Sequence, residues 1–170
     1  AQQLMPAVTS SRFRISWVLV NELAVGPAPR TERHLDLLEA QGITAMLSLC
    51  AEEEAPPPPG QAERFACARV VLPDHRSGRV PEHAELQQAL DRLVDLHQRG
   101  PVFVHCLAAM ERSPLVCLAW LVQRHGLSPQ RALDYLQQIH PGTNPLPQQL
   151  RLLQNLHTYS TGMPGWPRQL

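Results

Sequence analysis

The sequence predicts a single α/β domain in which a mostly parallel sheet of about four to five strands is flanked by helices. Short apolar runs bounded by glycine and proline fill the first half of the chain, whereas helical periodicity dominates the second half. The connections between these segments are short, which favours parallel strands joined by helices. With 170 residues, of which 44% are hydrophobic, the chain can bury one core without metals or disulfides.

The first elements follow an N-terminal extension, residues 1–12. Residues 13–25 are rich in valine, isoleucine and tryptophan and predict one bent strand or two short strands. Thr31 is a typical helix-capping residue, and Gly42 ends the helix that begins there. The apolar run that follows, up to Cys50, predicts a core strand. These segments together form a strand-helix-strand unit.

The middle of the chain alternates between polar loops and regular structure. Residues 51–64 contain the acidic run Glu52 to Glu54 and four consecutive prolines, which predict a stiff, solvated loop rather than a substrate-reading surface. Residues 65–72 predict another strand. The next helix opens at Pro81 and closes before Gly100, with leucines at helical spacing along one face.

The last third of the chain predicts one strand followed by three helices. The strand is the short apolar run over residues 101–105, and Pro114 stands in the first turn of the helix after it, where proline is tolerated. The helices are predicted over residues 113–125, from Ser128-Pro129 onward, and over residues 147–159. The predicted domain therefore covers residues 13–159, and residues 160–170 form a C-terminal tail.

The most informative segment is the loop HCLAAMERS, which joins the last strand to its helix. Cys106 follows the strand directly, and Arg112 comes six residues later, at the start of the helix. The five intervening residues let successive backbone N–H groups point inward, and a helix N-terminus favours a bound dianion. A random chain of this composition would contain roughly 0.02 matches to His-Cys-(five residues)-Arg. The loop therefore predicts a phosphate-binding cradle, against the alternative of a buried structural cysteine.

The residue types in this loop suit a nucleophile and an anionic substrate. The positive end of the helix and the fixed charge of Arg112 favour the thiolate form of Cys106, which is the form that attacks phosphorus. The guanidinium adds a planar fork for two phosphate oxygens. The predicted phosphate-binding residues are Leu107, Ala108, Ala109, Met110, Glu111 and Arg112.

Three segments of the chain together resemble the cysteine-dependent protein phosphatases, in particular their compact dual-specificity branch. The loop from His105 to Ser113 resembles the signature loop of that family, Leu72-Pro73-Asp74 resembles its general-acid loop, and residues 42–50 resemble its early core strand. The resemblance extends over roughly residues 13–157. It implies a protein tyrosine phosphatase-like fold and a hydrolase that removes phosphate through a phosphocysteine intermediate.

The resemblance also implies a role for individual residues. Cys106 matches the nucleophile and Arg112 the ligand of the phosphate and of the transition state. Ser113 matches the hydroxyl that assists loss of the thiolate, and Asp74 matches the residue that acts first as acid and then as base.

Two positions of the loop depart from the family pattern. The family usually has glycine at the position of Ala109, and alanine costs about 1 to 2 kcal/mol if the backbone there needs a positive φ. Glycine or serine is usual at the position of Glu111. A carboxylate inside the cradle would repel a dianion, so we expect Glu111 to point outward and to fix either a neighbouring loop or the Arg112 guanidinium.

The loop after the fourth predicted strand is the candidate source of the acid. Asp74 begins this loop and can approach the cradle from outside, and His75 is the rival proton donor. Arg76 and Arg79 either meet the substrate or, as we favour, are solvated. His105 is expected to order the cradle as a neutral imidazole rather than to titrate.

Three further polar residues are weaker candidates. Asn144 and Gln148 lie where relatives place polar groups near the site, and a capping or loop role is an equal alternative. Cys50 closes a core strand at the edge where the cradle lies, and some lipid-phosphatase relatives carry a cysteine after a similar stretch that pairs with the nucleophile. Cys50 is therefore a candidate redox partner of Cys106, against the alternative of a small buried apolar residue.

Composition restricts the cofactors and partners. The formal net charge is zero and all 15 basic residues are scattered arginines, which argues against nucleic-acid binding. The four cysteines lack metal-ligand spacing and fit reduced thiols in the cytoplasm. No metal, cofactor or membrane span is expected, and we expect a monomer.

Three classes of function remain open at this stage. The leading one is a tyrosine or dual-specificity protein phosphatase, with the phosphatase of a small phosphorylated metabolite or lipid as the alternative. The departures from the family pattern at Ala109 and Glu111 suggest the second class, a catalytically weak phosphate-binding module. A rhodanese-like sulfur transferase is the third class, although the Asp74 loop and the arginine offset fit phosphate better.

Overall fold

The computed structural model describes residues 13–156 and places a five-stranded sheet at the centre of this part of the chain. Its strands are β1 (Ser16–Leu19), β2 (Leu23–Gly26), β3 (Ala45–Ser48), β4 (Ala66–Arg69) and β5 (Val102–His105). Their order in the sheet is β1-β2-β5-β3-β4; β1 runs antiparallel to β2, and every other pairing is parallel. The predicted fold class, including its mostly parallel sheet, is confirmed.

Helices flank the sheet in the order that the sequence predicts, apart from one short additional helix between β3 and β4. They are α1 (Glu32–Ala40), α2 (Gln61–Arg64), α3 (His83–His97), α4 (Arg112–His125), α5 (Pro129–Ile139) and α6 (Pro147–Gln154), with a 3-10 turn at His75–Ser77. Thr31 and Ser128 cap α1 and α5 as expected, because each side chain accepts a hydrogen bond from a first-turn amide. Over the described residues, no helix combines the length and the apolar character that crossing a bilayer requires.

Some boundaries differ from the predictions. Strand β4 ends at Arg69 rather than Leu72, although the amides of Val70 and Leu72 still donate to the carbonyls of Ser48 and Leu49. The polar loop over residues 51–64 closes with the short helix α2. Helix α6 ends at Gln154, so the predicted continuation is wrong at Asn155 and Leu156. Residues 157–159 of that prediction lie outside the described part, as do the predicted extension and tail.

The two faces of the sheet bury different helices. Along β5, Val102 and Val104 point into one hydrophobic cluster, whereas Phe103 points into the other, as the alternation of a strand requires. Helix α1 covers the Phe103 face with Leu35 and Leu38. The larger cluster on the opposite face contains residues of α3, α4, α5 and α6. Both faces of the sheet are thereby covered, as parallel sheets require.

The register of the sheet brings four loops to one edge. Gly26 pairs with His105, His105 pairs with Ser48, and Ser48 pairs with Arg69, so β2, β5, β3 and β4 end side by side. The segments that follow these strands therefore meet at the carboxyl edge of the sheet, where ligands bind in open α/β folds. Cys106, Cys50 and Asp74 all lie in these segments.

Candidate active site

The loop of residues 106–111, here called the cradle, is held by its backbone carbonyls. The four acceptors and their donors are Cys106 O with His105 Nδ1 (3.0 Å), Leu107 O with Ala28 N (3.2 Å), Ala109 O with His140 Nε2 (2.7 Å) and Met110 O with Asn144 N (2.8 Å). In a planar trans peptide, the next residue's N–H points opposite to the carbonyl. The amides that follow these carbonyls are therefore directed toward the inside of the cradle, the arrangement that binds an anion.

Cys106 lies at the base of the cradle and is buried. Its Sγ atom is 3.3 Å from the Oγ atom of Ser113, which is also buried. Ser113 stands in the first turn of α4, so the thiol faces the end of the helix where partial positive charge collects.

His105 supports the cradle from the sheet. Its Nδ1 donates to the carbonyl of Cys106, so its Nε2 accepts a hydrogen bond from the Ser48 hydroxyl at 2.7 Å. Burial lowers the pKa of His105 to about 4, which leaves the imidazole neutral near pH 7. A neutral imidazole that fixes the Cys106 carbonyl fits the ordering role expected from the sequence.

Arg112 is held by a carboxylate that the sequence analysis assigned to a solvated loop. Its Nη2 and Nη1 atoms donate to Glu54 Oε1 and Oε2 at 2.9 and 3.2 Å, and Nη1 also approaches Leu72 O at 3.4 Å. The guanidinium is only 4% exposed. The hydrogen bond from Arg112 lowers the pKa of Glu54, so this partner is an ionised carboxylate. Glu54 therefore fixes the fork of the arginine through both of its oxygens.

The prediction of a solvated acidic run is correct only in part. Glu52 and Glu53 are exposed, as predicted, whereas Glu54 turns inward and also accepts a hydrogen bond from the Ala51 amide at 2.9 Å. One signal could have identified Glu54: it follows β3 at the carboxyl edge of a parallel sheet, where functional side chains gather.

Asp74 lies beside Arg112, at the start of the 74–80 loop. Its Oδ2 atom is 3.8 Å from Nη2 of Arg112. The same carboxylate accepts hydrogen bonds from the Arg76 amide at 3.0 Å and from Arg76 Nε at 2.8 Å. Burial raises the pKa of Asp74, but the hydrogen bonds from Arg76 and the charge of Arg112 outweigh it, and the net direction is down. The structure thus places Asp74 at the cradle.

The two loop arginines have different partners. Arg76 is 58% exposed, yet its Nη2 atom pairs with Asp74 at 2.7 Å and with Glu54 at 3.3 Å. Arg76 is thus solvated, as favoured, but it is also paired, because the two carboxylates beside it attract its charge. Arg79 pairs with Glu85 at the start of α3 and contributes to the anchoring of the loop there.

The side chain of Glu111 points away from the inside of the cradle, as expected. It accepts hydrogen bonds from Nδ1 of His75 at 2.7 Å and from Nε2 of Gln149 at 2.8 Å. Of the two expected roles, it fixes the neighbouring loop and not the Arg112 guanidinium. The contact with α6 involves Gln149, which the sequence analysis missed, whereas the candidate Gln148 is exposed. Asn144 contacts the cradle through its backbone amide.

Ala109 adopts a left-handed conformation, with φ at 61°. This is the backbone state for which glycine is the usual residue, so the condition for strain is met. The side chain of Ala109 is buried, whereas Ala108 and Met110 are exposed at the rim. Leu107 is partly buried and packs against the small cluster that contains Cys50.

Cys50 is buried two residues beyond the end of β3 rather than in the strand, and burial raises the pKa of its thiol. All four cysteines of the chain are free thiols in the structure. The pairing of Cys50 with Cys106 therefore stays a prediction. Among residues 13–156, no cluster of three His, Cys, Asp or Glu side chains could hold a metal ion.

Comparisons with known proteins agree with this geometry. The chain is 29% identical to human dual specificity protein phosphatase 4 over 119 residues, 68% of this chain and 28% of that protein. It is 32% identical to rat phosphatidylglycerophosphatase and protein-tyrosine phosphatase 1 over 79 residues, 46% of this chain and 41% of that protein. The matches span less than half the length of these curated relatives.

A solved structure and a family profile complete the comparison. The crystal structure of Tk-PTP in the active form superposes with a TM-score of 0.70 and 25% identity, covering 84% of this chain and 95% of that chain. The profile of the family described as "Dual specificity phosphatase, catalytic domain" matches residues 25–158, from β2 past the end of α6. The chain belongs to the dual-specificity phosphatase catalytic-domain family.

Proposed function

We propose that this chain is a phosphomonoesterase of the tyrosine or dual-specificity protein phosphatase type and acts through a phosphocysteine intermediate. One observation carries the proposal. A buried cysteine lies at the base of a loop whose amides point inward, and an arginine and an aspartate 3.8 Å apart stand beside that loop. Nucleophile, anion ligands and proton donor are thus gathered within one site.

In the first proposed step, the thiolate of Cys106 attacks phosphorus in line with the ester oxygen. The S–P bond forms as the P–O bond breaks, and Asp74 gives its proton to the departing oxygen, which leaves as an alcohol or phenol. Arg112 and the inward amides bind the three other oxygens, whose charge rises in the transition state. Because Glu54 already fixes Arg112, the fork loses little freedom when phosphate binds.

In the second proposed step, water hydrolyses the phosphocysteine. Asp74, now ionised, takes a proton from the water as its oxygen attacks phosphorus, and the S–P bond breaks. The Ser113 hydroxyl, 3.3 Å from the sulfur, donates a hydrogen bond to the leaving thiolate. Inorganic phosphate is released and the enzyme returns to its starting state, so the cycle needs no cofactor.

The proposed substrates are proteins that carry phosphotyrosine or phosphoserine and phosphothreonine. A phosphorylated lipid or small metabolite is the second candidate, because one relative bears the name phosphatidylglycerophosphatase as well as protein-tyrosine phosphatase. The cradle contains no lysine, which disfavours highly charged inositol polyphosphates.

The proposal also covers the oligomeric state, the location and the partners of the protein. We propose a monomer in the cytoplasm that acts without nucleic acid, because the chemistry needs Cys106 reduced and all four cysteines are free thiols. The departures at Ala109 and Glu111 leave Cys106, Arg112 and Asp74 in place, which argues against a binding module without catalysis.

Hydrolysis of p-nitrophenyl phosphate in the presence of a metal chelator tests this function, with thiosulfate as the substrate for the sulfur-transfer alternative. We expect turnover of the phosphate ester only. Cys106→Ser is the control, because it removes the thiolate but leaves the cradle able to bind vanadate. Absence of hydrolysis by the wild type, or residual hydrolysis in this variant above about one part in a thousand, would contradict the proposal.

A further inference from the structure

The side chain of Glu111 joins three parts of the structure. The residue itself stands at the junction of the cradle and α4, where it occupies the N-cap position. One carboxylate oxygen accepts hydrogen bonds from the ring of His75 at 2.7 Å and from its backbone amide at 3.3 Å, both on the 74–80 loop. The other oxygen accepts from Gln149 on α6 at 2.8 Å. Glycine or serine at this position could not reach both neighbours.

The contact with α6 orients the carboxylate. Gln149 is only 1% exposed, and its Oε1 atom already accepts a hydrogen bond from the Leu146 amide at 2.7 Å. Its amide nitrogen therefore donates to Glu111. A buried glutamine whose side chain makes two hydrogen bonds has little freedom to move. The carboxylate is in turn only 13% exposed, so solvent screens its contacts less than those of a surface ion pair.

The contact of Glu111 with the 74–80 loop lies next to Asp74 in the chain. His75 follows Asp74 directly, so a carboxylate that binds both its amide and its ring restricts the backbone on the C-terminal side of Asp74. Two other contacts attach this part of the loop to the site, from Arg76 to Glu54 at 3.3 Å and from Asp74 to Arg112 at 3.8 Å. The contact through Glu111 is the shortest of the three at 2.7 Å, and its carboxylate is 13% exposed against 25% for Glu54.

We propose that Glu111 is a positioning residue for proton transfer: through His75 it holds the 74–80 loop over the cradle and so sets the distance of Asp74 from the substrate oxygen. This inference rests on the proposed function. Glu111 touches neither substrate nor thiol in this account and acts through Asp74 alone. A displacement of about 1 Å in a catalytic group can cost on the order of 10²-fold in rate.

The test compares two substrates in four proteins: wild type, Glu111→Ala, Asp74→Asn and the double variant. Phenyl phosphate has a poor leaving group that needs a proton, whereas 2,4-dinitrophenyl phosphate needs almost none. We expect Glu111→Ala to lower kcat/KM by about 10- to 100-fold for phenyl phosphate and far less for the activated ester. In the Asp74→Asn background, the same substitution should cause little further loss.

Two more variants complete the design. Glu111→Gln keeps the length and one acceptor oxygen, so we expect it to retain more activity toward phenyl phosphate than Glu111→Ala; it also serves if the alanine variant does not fold. Glu52→Ala removes an exposed carboxylate from the neighbouring loop and is the matched control, with no expected change in the ratio of the two substrates.

The possible outcomes of this experiment distinguish a positioning role of Glu111 from a purely structural one. Equal losses on both substrates, or a loss that adds in full to that of Asp74→Asn, would mean that Glu111 only shapes the cradle, and the proposal would be wrong. Weaker vanadate binding together with equal losses would support the same conclusion. If the wild type is active but Asp74→Asn does not distinguish the substrates, Asp74 is not the acid and the inference fails while the phosphatase assignment stands. An inactive wild type would overturn both.

Discussion

The cradle and the 74–80 loop meet at one site but are held in place by different forces. The cradle is fixed through backbone carbonyls, whose partners are backbone amides and the imidazoles of His105 and His140. The 74–80 loop is fixed largely by charged side chains, and two of its residues, His75 and Arg76, are 63% and 58% exposed. The cradle is therefore held by the backbone of the fold, whereas the 74–80 loop is held mainly by side-chain contacts.

This difference distinguishes phosphate binding and nucleophilic attack, which use the cradle, from proton transfer, which uses the 74–80 loop. Backbone hydrogen bonds are insensitive to salt and to ordinary changes of pH, so the shape of the cradle should be robust. Exposed ion pairs are screened by salt and contribute little each. We therefore expect the proton-transfer step to be the part of the reaction that mutation and solution conditions change most easily.

The largest effect is expected from a change to Arg112, the anion ligand beside the cradle. Arg112→Lys keeps the charge but loses the planar fork that two phosphate oxygens require, and it also breaks the paired hydrogen bonds with Glu54. We expect kcat/KM to fall by at least about 10³-fold for every phosphate ester, with no dependence on the leaving group. Steady-state kinetics checks this; a mild effect would mean that Arg112 does not contact the phosphate.

The second largest effect is expected from a change in the 74–80 loop. Asp74→Asn removes the proton donor and leaves the cradle unchanged, so the loss should depend on the leaving group. We expect a decrease of roughly 10² to 10⁴-fold for phosphoserine-type esters and a much smaller one for activated aryl phosphates. The slope of log kcat/KM against leaving-group pKa measures this dependence. An equal loss for all esters would move the acid elsewhere, with His75 as the next candidate.

A smaller effect should appear in the pH profile of Arg76→Ala. Asp74 donates only when protonated, so activity falls as the pH rises through the pKa of that carboxyl. Arg76 helps to hold this pKa below its usual value, and its removal should therefore raise the pKa and move the basic limb of the bell-shaped profile to higher pH.

The acid limb is the internal control for that measurement. That limb does not depend on Asp74, so it should stay where it is in the wild type. Arg79→Ala is the matched variant, because Arg79 lies on the same loop but pairs with Glu85 rather than with Asp74. A basic limb that moves to lower pH in Arg76→Ala would show that Arg76 does not control the acid.

The smallest effect is expected from Ala109→Gly. Relief of the left-handed conformation should stabilise the fold by about 1 to 2 kcal/mol, whereas loss of a buried methyl group costs about 0.8 kcal/mol and glycine adds entropy to the unfolded chain. We expect the free energy of unfolding to change by less than about 1 kcal/mol, a shift of only a few degrees in Tm. Denaturant unfolding checks this; a loss of about 2 kcal/mol or more would assign the methyl group a packing role.

The sequence predicts the cradle better than its surroundings for a physical reason. Strand β5, the loop and α4 are consecutive, so local signals such as Gly100 and Pro114 define their ends. Glu54 and Gln149 contact the site across long sequence separations, and no local pattern reports which side chains meet there. The sheet order predicts that the loop with Glu54 approaches the cradle, but only packing decides which of its three glutamates turns inward.

The central claim is that the phosphoryl group passes through Cys106, and trapping that intermediate tests it most directly. Asp74→Asn should slow hydrolysis of the phosphocysteine, so this variant is mixed with 2,4-dinitrophenyl phosphate, quenched in acid and digested for mass spectrometry. The account predicts one added phosphoryl group on the peptide that contains Cys106, and none in the Cys106→Ser, Asp74→Asn double variant. Burst release of the phenol without any phosphoryl adduct on Cys106, or an adduct on another residue, would contradict it.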